Sequence, residues 1–195
     1  MTEKEWGKQV CSKLQEVAKG FQQSDASADT GFCVREGFRL AYALEIKHYG
    51  LEPKNRPEIT TMEFQTDLLV IEVAANGGWK PRVVIELKLG EPTTHDAITY
   101  SQKSSAHKSV HPFLRYGILI GSVSALSGRF FRHGEDFDFM ASWKSEVPDK
   151  KELATFSSVL EHEVRSSQTM EKVLFDTRSH SRQRYSLFHR RLELG

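Results

Sequence analysis

Residues 63–88 read EFQTDLLVIEVAANGGWKPRVVIELK, and this stretch decides the fold. Leu68 to Val73 is a continuous apolar run broken only by Glu72. Asn76-Gly77-Gly78 signals a turn, because Asn and Gly tolerate positive φ. Val83-Val84-Ile85 opens a second, β-branched run. The pattern predicts a hairpin with strands over roughly 60–74 and 80–89. Side chains alternate faces along a strand, so Glu86 and Lys88 share one face while Ile85, Leu87 and Leu89 share the other. An acid and a base two residues apart in so apolar a strand are costly to bury without a purpose. If the hairpin brings Asp67 alongside, two carboxylates and one ammonium meet at one point. That set describes a divalent-metal site with a lysine beside it.

The spacing resembles that of the PD-(D/E)xK nuclease superfamily. Its motif is an Asp, a variable gap, then Asp or Glu, any residue, and Lys. Here these positions fall on Asp67 and on Glu86-Leu87-Lys88, with Thr66 in place of the proline before the Asp. The match is carried by its setting: an Asp in one apolar strand, a turn, E-x-K in the next strand and a helix pattern after it. The resemblance covers roughly residues 34–121. It implies a restriction endonuclease-like α/β sandwich, a central mixed β-sheet flanked by helices.

Chemistry follows from the same residues. Mg²⁺ prefers oxygen ligands and keeps several waters, so the carboxylates of Asp67 and Glu86 can hold it, or Mn²⁺ in its place. The resemblance adds the backbone carbonyl of Leu87 as a third ligand. Lys88 is then expected to orient or deprotonate the attacking water. The competing reading makes Lys88 a salt-bridge partner of either acid at the end of a sheet. Many members of the superfamily add a glutamate from the helix before the first motif strand. Glu36 and Glu45 compete for that role, and Glu36 matches the family's position better. The function implied is a metal-dependent DNA endonuclease of restriction type, cutting both strands as a homodimer. A structure-specific or repair nuclease is the alternative within enzymes. A non-catalytic DNA-binding or assembly protein with the same fold is the alternative from another class.

Composition sets the bounds. The chain has 195 residues, enough for one domain with a substantial core. Lys and Arg number 27 against 26 Asp and Glu, so any nucleic-acid surface has to be a local patch. The two cysteines, Cys11 and Cys33, form neither a metal cluster nor a disulfide framework. No apolar run reaches membrane-spanning length and no signal-peptide core is evident, which gives a cytoplasmic expectation.

In chain order, residues 3–22 predict a helix from the recurrence of Trp6, Val10, Leu14, Val17 and Phe21. Gly20 and the polar run after it break that helix. Val34 to Tyr49 predicts a second helix, being rich in Ala, Leu and aromatic residues. Thr93 to Ser109 predicts a third, with Lys103, His107 and Lys108 on its polar face and Pro112 as its stop. Lys103 and Lys108 are candidates for phosphate contact. His107 and His111 stand four apart, but Pro112 interrupts a shared helical face. Tyr116 to Val123 predicts a buried strand, and residues 124–134 a small flexible segment. Alternation from Phe137 predicts a strand ending near Trp143, and residues 148–175 a long helix. The chain therefore reads as one domain over residues 1–175, nuclease-type by the resemblance, followed by a basic segment over 176–195.

Overall fold

The computed structural model describes residues 1–21, 31–52 and 54–175. The basic segment expected over 176–195 lies outside the described residues. Among these residues four helices and seven strands follow in the order α1 (Glu3–Lys19), β1 (Gly31–Glu36), β2 (Arg39–His48), β3 (Glu58–Gln65), β4 (Leu68–Val73), β5 (Trp79–Leu89), α2 (Thr94–Val110), β6 (Arg115–Gly121), α3 (Gly128–His133), β7 (Phe139–Ser142) and α4 (Lys150–Leu174).

The hairpin forms where the sequence places it. Ala74 N–H bonds Gly78 O at 2.8 Å and Gly77 N–H bonds Ala74 O at 2.9 Å. The Asn76 side chain accepts from Gly78 N–H at 3.0 Å, and Gly77 has φ +81°, a conformation that costs glycine little. Around this hairpin grows a five-stranded sheet of order β1-β4-β5-β6-β7. β1, β4 and β5 pair antiparallel, whereas β5, β6 and β7 pair parallel. β5 is therefore the seam between the antiparallel and the parallel half. The parallel half needs the crossover that α2 supplies.

Helices cover both faces. One core joins Trp6, Val10 and Leu14 of α1 and Phe156, Leu160 and Val164 of α4 to Val83, Ile85 and Leu87 of β5. The other joins Ala97 of α2, Phe130 of α3 and Leu40 of β2 to Val84, Tyr116, Ile118 and Ile120. The mixed α/β architecture with a mixed central sheet flanked by helices is thus present. α1, α2 and α4 each start on a capping box, formed by Thr2 with Glu5, Thr93 with Asp96 and Asp149 with Glu152. No helix among the described residues is long and apolar enough to cross a membrane. Cys11 packs against the first core and Cys33 against the second, so the two thiols sit on opposite faces of the sheet.

Three expectations are corrected. The helix over Val34 to Tyr49 is instead β1 and β2, split by Gly37 at φ +69°. Pairing of β1 with β4 and of β2 with β3 overrides the helix-forming composition. The first motif strand, expected as one piece over 60–74, is two strands in two sheets. β3 belongs to a separate two-stranded ribbon with β2, and the chain changes sheet at Thr66 and Asp67. Residues 124–134 contain a short helix, α3, with Phe130 fully buried.

Candidate active site

Asp67 occupies the break between the two sheets. Thr66, buried beside it, anchors the break by donating both its N–H (2.9 Å) and its hydroxyl (3.0 Å) to Phe38 O. Gly37 N–H donates to Asp67 O at 3.2 Å. The β4–β5 ladder ends at Leu68 opposite Ile85, so Asp67 stands one step further on, beside Glu86. There its carboxylate accepts the backbone N–H of Leu87 at 2.8 Å. Side chain has replaced backbone as the partner of β5. The N–H and C=O of a strand residue face the same neighbour, so the Leu87 carbonyl faces the side of β5 where Asp67 lies.

Glu86 lies at the seam of the sheet and is only 2 % exposed. Tyr116, on the adjacent β6, donates its hydroxyl to Glu86 Oε1. Lys103, on α2, brings its ammonium to 4.0 Å from the same oxygen. Burial, and then the neighbouring Asp67 carboxylate, push the Glu86 carboxyl up to about 8; Lys103 and Tyr116 pull the other way. The structure thus brings two of the sequence-predicted site residues together, Glu86 buried and Asp67 half-buried.

Lys88 lies one step along the same face of β5, and its partners are different. Its ammonium is 3.7 Å from Glu3 Oε2, at the start of α1, and 3.8 Å from Asp96 Oδ1, at the start of α2. Glu3 is itself fixed by the N–H of Leu89 at 3.0 Å, and Asp96 by the capping box of α2. Lys88 is thus held at the site's edge by two helix-start acids, while the carboxylate pair meets Lys103.

Glu36 is not a helix carboxylate: it ends β1 and is exposed. Glu45 is also exposed, midway along β2 on the ribbon. Both were assigned to a helix that does not form. The glutamate that a preceding helix does bring to this region is Glu3, whose only sequence signal was its place in the first turn of an amphipathic helix. Lys108 meets Asp138 at 2.8 Å and the carbonyl of Asp136. His107 is fully buried, with Nδ1 3.0 Å from Ala41 O and its ring stacked on Tyr116 at 5.7 Å. Burial pushes its pKa down, which suits a neutral packing residue.

Sequence reasoning missed Tyr116. Tyr116 shares the Glu86 face only because β5 and β6 pair with Glu86 opposite Ile118. Tyr100 stands three residues before Lys103 on α2, and burial, then Glu86, hold its phenol well above the usual range. No group of three or more His, Cys, Asp or Glu side chains among the described residues suits a metal. The donors present are the two carboxylates and the Leu87 carbonyl side. Hard oxygen donors, few in number, fit Mg²⁺ or Mn²⁺, which retain waters, and do not fit a four-ligand zinc site. Neither a family model nor a curated protein matches this chain.

Proposed function

We propose that this chain is a metal-dependent DNA endonuclease of the PD-(D/E)xK superfamily, with a restriction endonuclease-like fold. The observation that carries the reading is the half-buried Asp67 beside the buried Glu86 at the break in the hairpin, with Leu87 between Glu86 and Lys88. Placing a second acid beside a buried one is unfavourable for folding unless a cation or a proton relieves them. Asp67 and Glu86 would hold Mg²⁺ or Mn²⁺, with the Leu87 carbonyl as third donor. Bound there, the ion would neutralise charge on the phosphate and acidify a water.

The remaining work falls to the chain itself. Lys88 orients the water that attacks phosphorus, and Glu3 and Asp96 hold the lysine in place. Tyr116 fixes the Glu86 carboxylate in one rotamer by its hydrogen bond. The phosphodiester then gains the water oxygen and releases one sugar oxygen. A single site cuts both strands of a duplex most simply in a two-fold homodimer, which is the assembly proposed.

Plasmid incubated with the protein and Mg²⁺ tests the reading. Discrete fragments support a sequence-specific endonuclease, and a smear supports a structure-specific or repair nuclease. No cutting in either Mg²⁺ or Mn²⁺ defeats the enzyme reading and favours a non-catalytic DNA-binding or assembly protein. The engagement of Lys88 by Glu3 and Asp96 is the observation on that side.

A further inference from the structure

Two lysines stand on the Glu86 face of the sheet, and they meet different acids. Lys88 pairs with Glu3 and Asp96 at 3.7 and 3.8 Å. Lys103 comes from α2 and rests over two aromatic rings, 5.0 Å from the centroid of Tyr100 and 5.8 Å from that of Phe64. Aromatic faces attract an ammonium without fixing it as a hydrogen bond does. Its distance to Glu86 Oε1, 4.0 Å, is also beyond hydrogen-bond length. The acid end of this contact is 2 % exposed, whereas the Lys103 side chain keeps 26 % of its surface in solvent. The lysine side chain therefore bridges the buried Glu86 and the solvent.

We propose that Lys103 is the resident counter-ion of the Asp67–Glu86 pair, and that a divalent cation entering the pair displaces it. The inference rests on the metal-dependent reading above. A lysine carries a compact charge on a flexible four-carbon stem, so its ammonium can leave Glu86 without moving α2. A divalent cation and an ammonium at one buried carboxylate repel each other, so they are alternative occupants. The lysine serves the pair while the metal is absent and yields when the metal binds. It is a positioning residue, distinct from Lys88.

Calorimetric titration of the full chain with Mn²⁺, alongside thermal melts in chelator and in saturating Mn²⁺, tests this. Lys103→Met should bind Mn²⁺ about 3- to 10-fold more tightly than wild type, because a competing positive charge is gone. It should melt earlier than wild type in chelator, and close to wild type in Mn²⁺. Lys103→Arg, which keeps the charge, should stay within about twofold of wild-type affinity. If Lys103→Met does not fold, Lys103→Gln takes its place with the same expectations. Binding no tighter than wild type, or melts lowered equally with and without Mn²⁺, would overturn the proposal and leave Lys103 a structural residue. Wild-type protein that binds no Mn²⁺ would sink both the metal reading and the exchange. Binding that Asp67→Asn abolishes and Lys103→Met leaves unchanged would sink the exchange alone.

Discussion

The carboxylate of Asp67 accepts the backbone N–H of Leu87 at 2.8 Å, taking the position that a strand carbonyl would occupy one step earlier in the ladder. One side chain thus ends the β4–β5 pairing and places an acid beside Glu86. Asp67→Asn retains an acceptor for Leu87 and removes the charge, whereas Asp67→Ala removes both. Both variants are expected to lose cutting by about 100-fold or more, as loss of a metal-holding group should. Only Asp67→Ala should also lose stability, by about 1–3 kcal/mol, for the unpaired N–H. Wild-type cutting rates in Asp67→Asn, measured with Mg²⁺ present, would remove Asp67 from the site.

Glu86 gives a pH signature. Its pKa rises from about 4.5 to about 8 on folding, chiefly through burial and then through Asp67. Between these values the folded chain holds a proton that the unfolded chain has released, so stability from this group falls as pH rises. The contribution is fully present below the unfolded value and lost by the folded one. Metal-free wild type should therefore lose melting temperature, relative to Glu86→Gln, from about pH 4.5 to about pH 8. Saturating Mg²⁺ should flatten the difference, because it stabilises the ionised form. A gap between the two melts that does not change with pH would show that Glu86 carries no such proton.

Lys88→Met separates a working lysine from an idle one. The side chain is 26 % exposed and its two ion pairs are 3.7 and 3.8 Å long. Solvated pairs of this kind contribute about 0–1 kcal/mol, so the melt should hardly move. If Lys88 positions the attacking water, single-turnover cutting falls by roughly 100-fold while Mn²⁺ binding persists. Undiminished cutting by folded Lys88→Met would show that Lys88 only bridges the starts of α1 and α2.

Arg115→Met tests stability away from the site. Arg115 bonds Asp138 at 3.0 Å and Glu163 at 2.5 Å, all three side chains being nearly buried. Burial raises the Glu163 pKa, and the guanidinium opposes it. Removing the arginine strands Glu163, while Asp138 keeps Lys108 and the Tyr116 N–H. The change should cost roughly 3 kcal/mol in denaturant unfolding. Arg115 contacts α4, on the sheet face opposite Tyr116, so cutting per folded molecule should not change. A loss under about 1 kcal/mol would show that Glu163 relaxes into solvent.

The parts legible in the sequence are those governed by near neighbours. The Asn76-Gly77-Gly78 turn, the α2 and α4 patterns and the E-x-K strand phase all depend on residues close in the chain. Residues 34–49 misled because Ala, Leu and Glu favour helices locally, while β4 and β3 offer the backbone partners that decide the matter. Tyr116 and Lys103 were placed by parallel register and helix docking, which leave no periodic trace near Glu86. Lys103 was visible as a charge on a helix face, but its approach to Glu86 was not. Glu3 was invisible as a site residue because its link to Leu89 and Lys88 spans almost ninety positions.

The seam at β5 also bears on the order in which the chain folds. Asp67 and Glu86 are joined by a local hairpin, which can close in microseconds. Lys103 and Tyr116 arrive only with the crossover through α2 and the parallel pairing of β6, which is intrinsically slower. In the nascent hairpin the two acids therefore meet before their cation does. Refolding followed by stopped flow should accelerate when this early repulsion is removed, in wild type by Mg²⁺ and, independently of metal, in Glu86→Gln. Equal refolding rates for wild type and Glu86→Gln in chelator would show that the hairpin is not yet closed at the rate-limiting step.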